Sequence, residues 1–198
     1  MPKPTREHAQ LEADVKAYAE KLGFIVPRSL TYHDVMPEDE EKLLRGCYDP
    51  TSIIVRTRAD RLAVNPHTRT SFKWEAKTHG PSKSQNMAIE AIPLAMHITS
   101  ARMFGTRCLY AYRDDKRGLE AGFWVDETPL PEKLWIPDNT RYDEARERAS
   151  AVLGYAFPKV PHQRCEFKRG SGAPFVVIAI EEVEKLPSWR DILKGEAR

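Results

Sequence analysis

Composition marks this chain for few specialised classes, and what is scarce in it narrows the choice. Only three cysteines occur in 198 residues, Cys47, Cys108 and Cys165, far apart and with no C-x-x-C pair. That spacing argues against a zinc or iron–sulfur cluster and for a reducing compartment. No run of 18 apolar residues is present, so no membrane-spanning helix is expected. The opening MPKPTREHAQ is polar and lacks the apolar stretch of a signal peptide. The expected location is therefore the cytoplasm, or the host cytoplasm if the chain is viral. The six histidines show neither HxH nor HxxxH spacing, and there is no internal repeat or low-complexity tract. Charge is nearly balanced, 31 Lys and Arg against 29 Asp and Glu, a net +2. Binding of a polyanion would then depend on how the basic residues are distributed rather than on their excess. The length suits one α/β domain with a real core and is tight for two.

What is present concentrates in residues 52–78, SIIVRTRADRLAVNPHTRTSFKWEAKT, which read as two strands around a turn. Asp60 lies on the first strand, and Glu75, Ala76 and Lys77 lie on the second. Alternation puts Glu75 and Lys77 on one face and Phe72, Trp74 and Ala76 on the other, with the two charged groups about 7 Å apart along the strand. The apolar set should face the core. A turn centred between His67 and Thr68 pairs Asn65 with Thr70 and Asp60 with Glu75. Directly opposed carboxylates about 5 Å apart destabilise a sheet unless a positive group lies between them, and a divalent cation is the obvious candidate. The plainer alternative is a solvated face with a surface ion pair, contributing under about 1 kcal/mol. Ile53, Ile54, Val55, Leu62 and Val64 make both strands apolar enough to be central, and charges on a central element need partners or a metal.

Upstream, residues 5–23 (TREHAQLEADVKAYAEKLG) carry Leu11, Val15, Tyr18 and Leu22 at helical spacing. Thr5 suits the N-cap and Gly23 the C′ position. Phe24, Ile25 and Val26 then begin an extended segment. Glu12 borders the apolar stripe, where it is either simply solvated or able to reach a site beside the sheet.

In this order the elements resemble the PD-(D/E)XK nuclease superfamily, and within it the archaeal-type Holliday junction resolvases and related phage nucleases. The resemblance is carried by LEADVKAYAEKLGFIVPRS (11–29), RAD (58–60), KWEAKT (73–78), KSQNMAIEAIPLAMHITSARMFG (83–105) and RCLYAYR (107–113). It covers residues 11–113, and Ala59 stands where the motif has Pro. It implies a restriction-endonuclease-like α/β/α sandwich with a central mixed sheet. It also implies a phosphodiester hydrolase in which Glu12, Asp60, Glu75 and the Ala76 carbonyl hold the metal while Lys77 assists the attacking water. Gln85, leading the next helix, matches loosely a Gln of such sites. Hard oxygen ligands select Mg²⁺, with Mn²⁺ able to substitute.

The implied substrate is branched or duplex DNA, cut by a homodimer, because symmetric cutting of two strands needs two sites related by a two-fold axis. Phosphate contacts are expected from Arg56, Arg58, Arg61, Lys73 and Lys83, with Arg28 after the first helix. Lys168 and Arg169, in the loop-like segment 158–172, form a second basic group. An exonuclease or restriction-type enzyme of the same superfamily is an alternative, as is a non-catalytic nucleic-acid-binding protein on the same fold.

The rest of the chain reads more plainly. Residues 83–104 are expected to be a helix, bent or split at Pro93, with Met87, Ile92, Ala95, Met96 and Met103 as its apolar stripe. Strands are expected at 108–112, 122–125, 164–168 and 174–180, a loop at 126–139, and helices at 141–154 and 186–193. An added loop or helix fits at 37–46. The organisation that follows is a nuclease core over 1–125 and a C-terminal extension over 126–198 packed on the same domain.

Overall fold

A helix forms where the apolar spacing places it. In the computed structural model α1 spans Arg6–Lys21, and Leu11, Val15 and Ala19 make its buried stripe, with Tyr18 and Leu22 partly buried beside it. The structure describes residues 6–27, 37, 39–40, 43, 59, 61–78, 87–90, 93–94, 97, 101, 105–125, 134–135 and 175–196. The helix ends in a Schellman motif: Gly23 takes φ +88°, its N–H donates to the Glu20 carbonyl at 3.0 Å, and the Phe24 N–H donates to the Ala19 carbonyl at 3.1 Å. Only glycine adopts that φ without strain, so the chain turns at once and buries Phe24. Ile25 then bridges Val64.

The strands β1 (Arg61–Asn65), β2 (Thr70–Thr78), β4 (Arg107–Asp114) and β5 (Leu119–Trp124) form a four-stranded sheet in the order β1-β2-β4-β5. The β1–β2 and β4–β5 pairs are antiparallel and β2–β4 is parallel, giving the mixed sheet of an α/β protein. The hairpin register pairs Asn65 with Thr70. Asn65 fixes that turn, its Oδ1 accepting the N–H groups of His67 at 3.0 Å and Thr68 at 3.2 Å. A second, three-stranded sheet has the order β3-β7-β6, from β3 (Met87–Glu90), β6 (Leu134–Trp135) and β7 (Phe175–Ile178). Two helices close the chain, α2 (Ile180–Val183) and α3 (Trp189–Glu196).

Both faces of the central sheet are covered. On one face Ala63, Phe72, Trp74, Ala76, Leu109, Ala111 and Trp124 pack against α1 and α3, with Trp189 and Leu193 at the centre. On the other, Cys108, Tyr110, Tyr112, Ala121 and Phe123 pack against Met87, Ile89, Leu94, Ile178, Ile180 and Val183. Gly122 permits the closest approach of α3: an added Cβ would stand 2.9 Å from Trp189 Cβ and 3.0 Å from its Cα. The 126–198 segment thus contributes Trp189 and Leu193 to the same core as α1.

Four expectations need correction, one of them the loop over 126–139, within which Leu134–Trp135 form β6. The segment 83–104 is not one helix, because residues 87–90 form β3 and helical residues appear from Pro93. The alternation in MAIE buries Met87 and Ile89, and the partner strand β7 lies some 90 residues away, beyond the reach of local periodicity. Pro93 suits a helix start and opposes a helix running through it. The strand β1 is an edge of the described sheet rather than central, with Leu62 37% and Val64 36% exposed. The last apolar strand stops at Ile178, and Ile180 opens α2. Thr5, the helix expected at 141–154 and the strand expected at 164–168 lie outside the described residues.

Candidate active site

Alternation along β2 sends Lys73, Glu75 and Lys77 away from Trp74 and toward the layer of β3 and the helical residues Leu94 and His97. In the parallel register Glu75 stands opposite Tyr110 and Lys77 opposite Tyr112. Glu75 is only 8% exposed. An ionised carboxylate so placed is costly unless charged or hydrogen-bonding groups meet it. Two such groups do. Lys77 Nζ lies 3.3 Å from Glu75 Oε2, and His97 Nε2 lies 3.8 Å from Oε1. The imidazole is itself 2% exposed, with Nδ1 3.0 Å from the Tyr110 hydroxyl. Tyr110 stacks on Phe123 at 5.4 Å and 10°, and Lys77 Nζ stands 6.0 Å from the Tyr110 ring centroid. The result is a carboxylate, an ammonium, an imidazole and a phenol gathered on one side of β2 and β4.

The structure sets Glu12 on the other layer. Its carboxylate meets His8 Nε2 at 2.9 Å and Arg61 Nη2 at 3.6 Å. Arg61 pairs in register with Trp74, so its side chain leaves on the α1 side of the sheet, whereas Glu75 leaves on the opposite side. The Arg61 contact nevertheless holds Glu12 at the start of β1, one residue from Asp60 in sequence. Asp60, Gln85, Arg28, Arg56, Arg58, Lys83, Lys168 and Arg169 lie outside the described residues. The element that follows the Gln85 segment is β3, not the helix expected there. Of the expected phosphate contacts, Arg61 is thus engaged by Glu12, and Lys73 shares the Glu75 face. Among the described residues no group of three His, Cys, Asp or Glu side chains is arranged to hold a metal ion.

Two members of the cluster, His97 and Tyr110, are absent from the sequence expectations. The signal for His97 is the buried set Leu94, His97 and Ala101 at i, i+3 and i+7, a helical face with a histidine in its middle. Tyr110 is placed by the parallel pairing of β2 with β4, which no local pattern specifies.

A separate polar network braces the helices on the far side of the sheet. Arg113 reaches Asp14 at 2.7 Å and Glu120 at 2.7 Å, and Arg190 reaches Glu120 at 2.9 Å. The Arg190 guanidinium lies over the Trp189 and Tyr18 rings at 4.1 and 5.4 Å. Burial acts to raise the Asp14 carboxyl, but hydrogen bonds from Gln10 and Arg113 and the charges of Arg113 and Arg190 hold it below its ordinary value. Burial likewise acts to raise the Glu120 carboxyl, but the hydrogen bonds and charges of Arg190 and Arg113 outweigh it and hold Glu120 below its ordinary value.

Among the described residues no helix is long and apolar enough to cross a membrane. No family model matches the chain, and no curated protein matches it. Among solved structures the chain is similar to Hjc, a Holliday junction resolvase from the archaeal hyperthermophile Archaeoglobus fulgidus, at 15% identity over 95% of this chain and 96% of that one, with a TM-score of 0.48.

Proposed function

We propose that this chain is a divalent-metal-dependent DNA endonuclease of restriction-endonuclease-like fold, selective for branched DNA in the manner of a junction resolvase and acting as a homodimer. The observation that carries the reading is the Glu75–Lys77 pair. A nearly buried carboxylate and an ammonium are held 3.3 Å apart on an interior strand, in the E-x-K spacing of the nuclease motif. A partly buried carboxylate beside a backbone carbonyl fits Mg²⁺, which takes one or two carboxylates and keeps several waters. In this reading Asp60, Glu75 and the Ala76 carbonyl hold the ion, and Mn²⁺ substitutes for it. Glu12, expected among the ligands, lies on the other layer with His8 and Arg61 and is left out of the set. When bound, such an ion neutralises phosphate charge and lowers the proton affinity of a water. Lys77 orients that water and stabilises charge developing on the phosphate. Arg58, Arg56, Lys73, Lys83, Arg28, Lys168 and Arg169 provide backbone phosphate contacts, which position DNA without reading its sequence.

The test is cleavage of labelled four-way junction, flap, linear duplex and single-stranded DNA with Mg²⁺, Mn²⁺ or EDTA. Wild type is run beside Asp60→Asn and Lys77→Ala. Paired, symmetric nicks on the junction, absent in both variants and in EDTA, are the expected result. End-dependent degradation lost in the same variants would keep the site and make the enzyme an exonuclease. DNA binding without metal-dependent cutting of any substrate would overturn the enzymatic reading.

A further inference from the structure

His97 is buried against the charged pair, yet the hydrolytic reading gives it no part. Its Nδ1 is 3.0 Å from the Tyr110 hydroxyl and its Nε2 is 3.8 Å from Glu75 Oε1, while Lys77 takes Oε2 at 3.3 Å. We propose that His97 is a positioning residue: gripped by Tyr110, it directs an Nε2–H at Oε1 and, with Lys77 on the other oxygen, fixes the plane of the Glu75 carboxylate. The inference rests on Glu75 belonging to the active site.

The tautomer follows from what each nitrogen faces. A neutral imidazole carries one N–H and one lone pair. With the proton on Nδ1, the Nε2 lone pair would face a carboxylate oxygen in surroundings that exclude most water, where an unpaired polar contact is costly. With the proton on Nε2, the Tyr110 O–H donates to Nδ1 and the N–H is directed at Oε1. The Nδ1 lone pair is then satisfied, and the Nε2–H meets the carboxylate with favourable charge. Tyr110 can impose this choice because its ring is immobilised on Phe123, and its strand position is in register with Glu75. At 3.8 Å the His97–Glu75 contact is longer than a hydrogen bond. Active-site hydrogen bonds of this kind commonly tighten when the site is loaded. A glutamate on its own is free about three side-chain torsions, and holding both oxygens beforehand removes that freedom before a ligand arrives.

The test uses the full chain with His97→Leu, His97→Gln and Tyr110→Phe. It reads Mn²⁺ affinity of the DNA-free protein by calorimetry, Mg²⁺-dependent cleavage, and the ¹⁵N shifts of the His97 ring. Wild type should show the Nε2–H tautomer. His97→Leu should weaken Mn²⁺ binding and cleavage by about 10–100-fold, the range for residues that orient metal ligands. His97→Gln, whose amide nitrogen reaches the Nε2 position, should restore most of that loss, which a purely space-filling role does not require. Tyr110→Phe keeps the stacked ring and so keeps the test open if His97→Leu fails to fold. It should lose the tautomer preference and weaken Mn²⁺ binding. The inference is overturned if wild type shows Nδ1–H, or if folded Tyr110→Phe and, where it folds, His97→Leu keep affinity and rate within about twofold, below the orienting range. A wild type that neither binds Mn²⁺ nor cuts any DNA overturns the nuclease reading instead, a failure visible before any variant is compared.

Discussion

The two faces of the central sheet are made from the same strands and yet have opposite characters. The α1–α3 face is aromatic at its centre, with its charged groups paired in the Arg113, Asp14, Glu120 and Arg190 network: Phe72, Trp74, Trp124 and Trp189 meet there, with Phe72 5.0 Å from Phe24 and 5.7 Å from Trp124 in edge-on contacts. The opposite face, one residue along each strand, mixes an apolar layer with Glu75, Lys77, His97 and Tyr110. A sheet covered on both sides can therefore centre one face on aromatic rings and place a nearly buried charged cluster within the other. Charges tolerated on a covered face need a reason, because apolar residues of similar size would cost less there.

The sharpest way to break that comparison is one substitution on each face. Lys77→Ala should reduce DNA cleavage by about 10²–10³-fold, the span for removing one group that stabilises charge developing in the transition state. Its thermal midpoint should stay close to wild type, because the Lys77 side chain remains 29% exposed. Trp74→Ala should do the reverse and destabilise by about 3–5 kcal/mol, as expected for deleting a fully buried aromatic ring. Denaturant melts alongside cleavage assays decide it. Comparable stability losses in both variants would remove the division of labour between the faces.

Gly122 tests how closely the α1–α3 face is packed. A methyl group there meets backbone as well as side chain of Trp189, and the Tyr110 carbonyl at 3.1 Å, while the Gly122 N–H donates to the Pro187 carbonyl at 2.8 Å. None of these neighbours is the free end of a flexible chain. Gly122→Ala should therefore cost about 1–3 kcal/mol through displacement of α3. Equilibrium unfolding in urea reads the loss directly, and an unchanged midpoint would mean that α3 shifts freely.

Much of this division was legible in the sequence, and what was missed shares one physical cause. Strict alternation in TSFKWEAKT separates Trp74 and Ala76 from Glu75 and Lys77, and the Asn65–Thr70 register follows from turn geometry. The α1 stripe and its glycine stop are equally local signals. Periodicity cannot supply pairing between distant segments. The β3–β7 ladder turns an expected helix into a strand, and the parallel β2–β4 register brings Tyr110 to Glu75. His97 became visible only once a helical turn from another part of the chain had been laid over the sheet. The edge position of β1 was hidden for the same reason: Leu62 and Val64 are as apolar as core residues, and only the strand order shows that they stay partly exposed.

The Arg113 network gives a pH signature that belongs to the helix-bearing face. Asp14 and Glu120 titrate below their ordinary values when folded, so the unfolded chain takes up protons first as acid is added. Their stabilisation is present above the unfolded values, 3.8 for Asp14 and 4.5 for Glu120, and is lost as pH falls through the folded ones. Stability should accordingly decline below about pH 4.5, the unfolded Glu120 value. Glu120→Gln should flatten that decline in thermal melts collected from pH 6 to pH 3, on the linkage argument that only groups with shifted values contribute a slope. A variant with the wild-type acid limb would place the acid sensitivity elsewhere.

The smallest effect separates two tyrosines two residues apart on the same strand and face. Tyr110 spends its hydroxyl on His97, whereas the Tyr112 hydroxyl is buried with no hydrogen-bond partner among the described residues. Burial, with Asp114 adding to it and Arg117 opposing, pushes the Tyr112 phenol up to about 12. A raised folded value means that the neutral phenol is favoured in the folded state. The associated stability is complete below pH 10.0, the ordinary value, and is lost as pH rises toward 12. Tyr112→Phe removes a hydroxyl that has lost water without gaining a partner, so it should be neutral or stabilising by up to about 1 kcal/mol at neutral pH. It should also shallow the alkaline limb of the stability profile. Tyr110→Phe, deleting the same atom type two residues earlier, should show no such gain, and urea melts of the two variants at pH 7 and pH 11 compare them directly. If both behave alike, the hydroxyl on the charged face has no special task, and the contrast between the faces rests on Glu75 and Lys77 alone.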